Sequence, residues 1–437
     1  MNVVKNPGRE TWKELLARPV FDASSLEEKV KAILEEIKQN GDKAVKEYTK
    51  KFDGIELDNL RVSLEEMEDA LYKVSDELKK AILIAKNNIE SFHVFQLHNP
   101  IKVIESTPGV QCWQKAVPIE KVGLYVPGGT APLFSTVLML GIPAKIAGCK
   151  EIVLCTPPNK GGEIDPAILV AANVIGIDQV FKVGGVQAVA SMAYGTETIP
   201  NVYKIFGPGN QYVTTAKMLV SRDNVAIDMP AGPSEVLVMA DETSNPEFVA
   251  YDLLSQAEHG TDSQVILVTN KEEIIPGVQK QLELKLKTLS RKEFAEKSLE
   301  NSKIILMEDE NEMLDLVNEY APEHLIISMK NADSIATRIV NAGSVFIGNN
   351  TPESAGDYAS GTNHTLPTNG WAKSMSGVNM ESYLKRITFQ KISEYGLFNI
   401  GEAIEVMAAT EGLDAHKNAV TVRLDAIKSN LNKEENV

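Results

Sequence analysis

The chain has 437 residues, of which 43% are hydrophobic and 24% are charged, and its formal net charge at pH 7 is −16. This length predicts two or more domains, and the composition is typical of a globular protein. The acidic excess disfavours nucleic acids and anionic membrane surfaces as partners, because both are negatively charged. No stretch reaches the roughly 18–20 apolar residues of a membrane helix, and the N-terminus lacks an apolar signal-peptide core. With three cysteines in no pairwise pattern, we expect a cytoplasmic protein that binds neither nucleic acid nor membrane.

The first quarter of the chain is predicted to be helical. Residues 25–100 are predicted to form helices, because apolar residues recur every three to four positions in SSLEEKVKAILEEIKQNGDKAVKEYTKKF, and Gly41 is a natural place for a helix to stop. The following segment, IKVIESTPGVQCWQKAV, predicts two strands joined around Pro108 and Gly109.

From Lys121 onward, short apolar runs alternate with helical patterns. The first series of strand-like runs is VGLYVP, EIVLCTP, QVFKVGG and YKIFGPGN, and the second is SEVLVMAD, SQVILVT, KIILM, LIISM and SVFIG. This alternation predicts parallel sheets covered by helices on both faces, with right-handed crossovers. Two α/β units would meet near residues 230–234, and a helical tail would run from about Gly377 to the end.

Two short segments carry candidate site residues on predicted helix ends. Gln256 and His259 are three apart before Gly260, so they would project from one face of a last helical turn. An amide oxygen and an imidazole could share a cation there, or the pair could merely cap the helix. In YAPEHL, the adjacent Glu323 and His324 form a general-base candidate, or else a helix end held by polar side chains.

Two further segments carry ligand-type side chains. Asp357 and His364 lie in the polar stretch TPESAGDYASGTNHTLPT, which we predict to be a long loop. Such a loop is often functional, although it also tolerates solvated Asp and His. Glu411 and His416 lie five apart in EGLDAHKNAVTVR. No segment matches a compact zinc motif, but ligands without cysteine would suit a catalytic zinc and not a closed structural one.

Three glycine-rich turns follow predicted strands and precede predicted helices: GLYVPGG, VGGVQA and GPGNQYV. Backbone amides at such turns could hold phosphate. None is a GxGxxG, and a glycine turn at a strand–helix junction is more often a plain feature of the topology. Taken singly, these turns do not predict nucleotide binding.

Together these segments resemble the histidinol dehydrogenase family from about residue 20 to about residue 425. The resemblance rests on VGLYVPGGTAPLFSTVLML, IFGPGNQYVTTAK, DMPAGPSEVLVMAD, DLLSQAEHGTDSQVILVT, YAPEHL, TPESAGDYASGTNHTLPT and EGLDAHKNAVTVR. It implies an α/β fold of two incomplete Rossmann-like parallel-sheet domains with helical N- and C-terminal extensions. We expect an N-terminal extension over 1–20 and a first α/β domain over 21–120 with 236–376 that carries most site residues. A second α/β domain over 121–235 would lie on the NAD side, and a helical tail over 377–437 would make dimer contacts.

The resemblance also implies the activity, which is the last step of histidine biosynthesis. L-Histidinol would be oxidised in two steps through L-histidinaldehyde to L-histidine, with two NAD reduced. Glu323 and His324 would be the catalytic acid–base pair, His324 for the alcohol and Glu323 for water addition to the aldehyde. One Zn²⁺ per subunit would be bound by Gln256, His259, Asp357 and His416. Substrate would contact Ser234, Gln256, His259, His324, Asp357, His364, Glu411 and His416, and NAD would lie along Tyr125, Gln187 and Asn210. In the implied homodimer, His416 and Glu411 would reach across from the partner subunit.

In such a site we expect zinc to act mainly as a template that holds the substrate nitrogens, because positioning alone can supply roughly 7–11 kcal/mol of a barrier. Three alternative functions can each be distinguished from this one by a specific observation. A sibling dehydrogenase for another small alcohol, such as a dihydroxypropanesulfonate, would lack part of the imidazole-contacting residues. A zinc hydrolase would form no NADH, and a non-catalytic binding protein would have no reason to keep Glu323 beside His324.

Overall fold

The computed structural model describes residues 1–19, 23–97, 101–128, 132–230 and 232–434. Its strands are β1 (Asn2–Lys5), β2 (Ile104–Thr107), β3 (Val110–Pro118), β4 (Lys121–Tyr125), β5 (Glu151–Thr156), β6 (Gln179–Lys182), β7 (Lys204–Phe206), β8 (Ala226–Ile227), β9 (Glu235–Ala240), β10 (Gln264–Thr269), β11 (Lys303–Leu306), β12 (His324–Ser328), β13 (Ser344–Ile347) and β14 (Leu384–Ile392). Its α-helices are α1 (Trp12–Leu15), α2 (Ala23–Asp53), α3 (Leu64–Lys73), α4 (Asp76–Phe95), α5 (Phe134–Ala147), α6 (Pro166–Ile175), α7 (Gly185–Tyr194), α8 (Gln211–Val220), α9 (Pro246–Ala257), α10 (Ile275–Leu286), α11 (Lys292–Glu300), α12 (Glu310–Tyr320), α13 (Ala332–Ala336), α14 (Glu353–Tyr358), α15 (Glu394–Thr410) and α16 (Asp414–Glu434). Within these residues, no helix combines the length and the apolar composition needed to cross a bilayer.

The chain divides into two compact units, and the first unit, Met1–Leu97 with Ile119–Tyr383, contains two parallel sheets. The first sheet has six strands in the order β1-β11-β10-β9-β12-β13. Along its central strand β9, Val236 and Val238 face one core with α9. Leu237 and Met239 face the opposite core with α12. Helices therefore cover both faces of the sheet, as the alternating sequence pattern predicts.

The second sheet has five parallel strands in the order β6-β5-β4-β7-β8. Ile152 and Leu154 of β5 enter the core with α5 and α6. Val153 and Cys155 enter the core with α7 on the other face. Two of the glycine turns, VGGVQA and GPGNQYV, lie between strand and helix as predicted. The third, GLYVPGG, begins inside β4 and continues past its end at Tyr125, and its last residue, Gly129, lies outside the described residues.

The N-terminal segments differ in two respects from the predicted grouping of residues. The helix α2 is interrupted at Gly41 (φ 52°, ψ −136°), close to the predicted stop. However, Val30 and Ile37 of α2 pack in a core of the second sheet, and α3 and α4 pack in the core on its other face. The prediction instead places residues 21–120 in one domain with residues 236–376. Residues 1–20 also include a strand, because β1 pairs with β11 at the edge of the first sheet. Periodicity reveals that a helix has an apolar face, but not which sheet this face meets. The division into domains itself remains a prediction.

The second unit comprises His98–Pro118 and Leu384–Val437. Here β2 and β3 form the strand pair predicted around Pro108 and Gly109, and β14 pairs antiparallel with the whole of β3. Gly109 has φ 83°, and a Cβ added to it would lie 2.6 Å from the Gly396 nitrogen, so only glycine fits this turn. The helices α15 and α16 follow. The prediction of a purely helical tail was therefore wrong for β14, whose alternating sequence LKRITFQKI is typical of a strand.

A buried ion pair in the first unit fixes the glycine turn before α8. Lys217 Nζ lies 2.5 Å from Asp228 Oδ1, and both side chains are only 1% exposed. The same Nζ donates to the Gly207 carbonyl (2.7 Å), and the Gly207 amide donates to Asp228 Oδ2 (2.8 Å). The pair thus closes around the backbone of Gly207 and holds the turn that leads to Asn210.

We expect Lys217→Met to lower the free energy of unfolding by about 3–5 kcal/mol, because the substitution leaves the Asp228 carboxylate buried without its cation. Urea denaturation followed by circular dichroism measures this loss. The control is Lys50→Met, which removes a lysine from the solvent-exposed pair with Glu56 and should hardly move the unfolding midpoint. Equal midpoints for wild type and Lys217→Met would contradict this role of the ion pair.

Candidate active site

The adjacent residues Glu323 and His324 lie where the chain enters β12. The helix α12 ends with Ala321 in a left-handed conformation (φ 52°), which ends the helical path just before Pro322. The Glu323 and His324 residues are only 7% and 3% exposed. A buried carboxylate beside a buried imidazole is compatible with the predicted acid–base pair, which remains a prediction beside the alternative of a helix end held by polar side chains.

The backbone of Glu235, at the start of the neighbouring strand β9, orients both side chains. Its amide donates to Glu323 Oε2 at 2.9 Å, and its carbonyl accepts from His324 Nδ1 at 3.0 Å. The Nδ1 of His324 therefore carries a proton. Its Nε2 is buried and has no hydrogen-bond partner among the described residues. This nitrogen is the atom that can exchange a proton with a ligand.

The side chain of Glu235 is itself held by Arg18, a residue that sequence reasoning missed. Arg18 Nε and Nη2 donate to the two carboxylate oxygens at 2.6 and 2.9 Å. The guanidinium also lies 4.0 Å from the centre of the Tyr320 ring. Burial raises the pKa of the Glu235 carboxyl, and the hydrogen bond and charge of Arg18 oppose that rise.

Two carboxylates of α14 face the free nitrogen of His324. Nε2 lies 3.7 Å from Glu353 Oε1 and 3.6 Å from Asp357 Oδ1, and one ligand atom from each of the three residues lies within 4.8 Å of the others. The predicted loop over this stretch was wrong at its start, because residues 353–358 form a helix. Glu353 was missed as a site residue, although its four-residue distance from Asp357 places both on one helix face.

Glu353 connects this cluster to Gln256 on α9. Gln256 Nε2 donates to Glu353 Oε1 at 2.7 Å, and Ser255 Oγ donates to Glu353 Oε2 at 2.8 Å. Gln256 and Glu353 are each 1% exposed. Gln256 is therefore connected through Glu353 to the cluster that contains Asp357, and the predicted ligand set itself remains a prediction.

The charges of the cluster depend on one another. Burial and the neighbouring Asp357 raise the pKa of Glu353 to about 8. Burial opposes ionisation of Asp357, but the hydrogen bond and charge of His324, with a contribution from His364, hold its pKa below the usual value. Burial likewise opposes protonation of His324, yet the charges of Glu323, Asp357 and Glu353 raise its pKa well above the usual value. The cluster thus combines nitrogen and oxygen donors with an excess of negative charge, which fits a divalent cation.

The remaining residues predicted to bind metal or substrate lie at four places. His364 contacts Asp357, because its Nδ1 lies 3.0 Å from the Asp357 carbonyl oxygen, and burial lowers the pKa of this imidazole. Ser234 is half-buried directly before Glu235, and His259 is exposed just after α9 and is not a member of the described cluster. Glu411 and His416 belong to the second unit, where both are exposed.

The three predicted NAD contacts line one cavity at the second sheet. Tyr125, Gln187 and Asn210 lie at the carboxyl ends of parallel strands, around a cavity of about 1170 Å³. Tyr125 Oη accepts from the Gly185 amide at 3.1 Å, and Asn210 Oδ1 caps α8. Gln187 Nε2 lies 3.5 Å from Asp53 Oδ2. Burial raises the pKa of Asp53, whose position in this cavity no sequence motif indicates.

Comparison with known proteins agrees with this geometry. The sequence model described as histidinol dehydrogenase matches residues 16–424. The histidinol dehydrogenase of Bacteroides thetaiotaomicron is 61% identical over 98% of this chain and 100% of its own length. That of Escherichia coli strain K12 is 51% identical over 96% of both chains. The crystal structure of histidinol dehydrogenase from Elizabethkingia anophelis superposes with a TM-score of 0.95 at 54% identity, covering 98% of this chain and 99% of the other. This chain belongs to the histidinol dehydrogenase family of oxidoreductases.

Proposed function

We propose that this protein oxidises L-histidinol through L-histidinaldehyde to L-histidine and reduces two NAD in each turnover. The observation that carries the proposal is the buried pair Glu323 and His324, with the free Nε2 of His324 facing the carboxylates of α14. The raised pKa of His324 keeps a proton on this imidazole in the metal-free cluster, and a bound divalent cation would favour the neutral form, whose Nε2 can take the proton of a bound alcohol.

In the first oxidation, His324 Nε2 takes the proton of the alcohol while the carbon transfers hydride to NAD. The aldehyde then adds water, and Glu323 takes a proton from that water. Collapse of the hydrate to the carboxylic acid transfers a second hydride to a second NAD. Since the Glu235 backbone fixes both side chains, each acts from a constant position.

We also propose that Gln256, His259 and Asp357 hold a zinc ion, with His416 of a second subunit as the fourth ligand. The hydrogen bond that connects Gln256 to Glu353 and the nitrogen and oxygen donors of the cluster that contains Asp357 support this choice. When bound, zinc supplies a fixed positive charge that orients the substrate nitrogens. Ser234, His364 and Glu411 would contact histidinol, and NAD would occupy the cavity lined by Tyr125, Gln187 and Asn210.

A homodimer is the assembly that this zinc site requires. The second unit supports it, because several large apolar side chains there are exposed, which is typical of an interaction surface. These residues include Ile104, Ile387, Phe398, Val406 and Met407. We further propose a cytoplasmic location, since the buried Cys149 and Cys155 are free thiols.

The activity is tested by counting NADH formed for each histidinol consumed, before and after chelation. We expect two NADH per histidinol, loss of activity on chelation, and recovery when Zn²⁺ is restored. A dihydroxypropanesulfonate should give no NADH. Absence of NADH from histidinol in the zinc-loaded protein would overturn the proposed activity.

The division of labour between the two catalytic residues predicts a selective defect in Glu323→Gln. The amide can still accept the hydrogen bond from the Glu235 backbone, but it cannot take a proton from water. Oxidation of histidinaldehyde should fall by about 10²–10⁴-fold while oxidation of histidinol to the aldehyde is retained, so NADH yield approaches one per histidinol. Stopped-flow absorbance measures both half-reactions.

The matched control is Glu319→Gln, which neutralises an exposed acid of α12 that pairs with Lys373. This variant should retain both half-reactions. Equal loss of both half-reactions in Glu323→Gln would refute the separate roles of Glu323 and His324.

Zinc binding to the metal-free protein at pH 7 should release protons. The raised pKa values of His324 and Glu353 keep protons on this cluster, and a divalent cation favours the deprotonated forms. A pH indicator in weakly buffered solution measures the release during a zinc titration. His324→Gln should release fewer protons, and zinc binding without any release would contradict this charge arrangement.

A further inference from the structure

The buried carboxylate of Glu353 has no role in the steps above, yet it has specific partners. It accepts hydrogen bonds from Gln256 Nε2 (2.7 Å) and Ser255 Oγ (2.8 Å), and it is 1% exposed. Both donors lie on α9, whereas Glu353 begins α14, the helix that carries Asp357. The contact therefore joins the two helices that supply Gln256 and Asp357 to the site.

The chemistry of the two groups fixes the orientation of the Gln256 amide. A side-chain amide presents an oxygen on one side and an NH₂ group on the other, and only the oxygen binds a cation well. Both carboxyl oxygens of Glu353 accept hydrogen bonds, Oε1 from Gln256 Nε2 and Oε2 from Ser255 Oγ, so the NH₂ group of Gln256 faces Glu353 and its Oε1 points away. Because Gln256 is 1% exposed, bulk water is poorly placed to replace this contact.

We propose that Glu353 is a positioning residue that orients the Gln256 amide so that its oxygen faces the bound divalent cation. This inference rests on the zinc site of the proposed function. The Oε1 atom that holds Gln256 lies only 3.7 Å from His324 Nε2, so the orienting contact is inside the site and not at its rim. Removal of such an orienting partner typically costs 10–100-fold in metal affinity.

The test compares Glu353→Gln with Glu353→Met, since both remove the charge and keep a similar side-chain length. A glutamine can accept from Gln256 and donate to Ser255, whose hydroxyl is also within hydrogen-bond distance of the Asp252 carbonyl (2.8 Å). A methionine offers Gln256 only a weak acceptor. We expect Glu353→Met to bind Zn²⁺ about 10–100-fold more weakly than Glu353→Gln, measured by competition with a chromogenic chelator. The visible spectrum of bound Co²⁺ should resemble wild type in Glu353→Gln and differ in Glu353→Met.

The same comparison in a Gln256→Ala background shows whether Glu353 affects zinc binding through Gln256. If Glu353 acts through Gln256, the two variants should bind zinc equally in that background. A difference that persists would make Glu353 a direct ligand and overturn the positioning role, and so would equal affinities in the wild-type background. Thermal unfolding of the metal-free proteins checks their fold, and Glu353→Ala replaces Glu353→Met if the latter does not fold. A wild-type protein that binds neither metal would overturn the zinc site, and this inference with it.

Discussion

The backbone of Glu235 is the constraint on which the catalytic geometry depends. Its amide and carbonyl bind Glu323 and His324, so both side chains are aligned by a strand of the sheet and not by mobile side chains. The alignment can change only if β9 moves relative to β12, whose register is fixed by backbone hydrogen bonds. Arg18, in the N-terminal segment, stabilises this alignment through its ion pair with the Glu235 carboxylate. Residues more than 300 positions apart in the sequence are therefore ordered together.

The charges of the cluster favour the binding of a cation at the expense of the stability of the metal-free protein. Glu235 has a guanidinium partner, whereas among the described residues Glu353 and Asp357 both face the imidazole of His324. Buried carboxylates this close to each other repel, and the protons retained by His324 and Glu353 reduce that repulsion. A divalent cation would do the same and, in the proposed mechanism, would leave His324 Nε2 available for the substrate proton. Perturbed titration of this kind is common where a protein binds or converts a ligand.

Much of the fold could be predicted from the sequence because its periodicities are local. Short continuous apolar runs such as SEVLVMAD predict buried parallel strands wherever they lie. The position of α2–α4 on the second sheet could not be predicted in this way, since it depends on contacts distant in sequence. The residues of the candidate site could likewise be predicted only in part. Spacing and residue type already indicated Gln256 and Asp357 as candidates and the resemblance joined them into one ligand set, whereas Glu353 and Arg18 carry no motif and become recognisable only through the atoms they contact.

The polar stretch before the second unit shows why a site of this kind needs more than its reacting groups. His364 Nδ1 lies 3.0 Å from the Asp357 carbonyl oxygen, and its Nε2 lies 3.2 Å from Thr136 Oγ1 on α5. Asn363 Nδ2 donates to the Met139 carbonyl, also on α5, at 2.6 Å. These side chains connect the helix of the first sheet that carries Asp357 with a helix of the second sheet. Hydride transfer requires reacting atoms about 3–3.5 Å apart. If nucleotide is held at one sheet and the proton acceptor at the other, this hydrogen-bonded connection is what makes that distance reproducible.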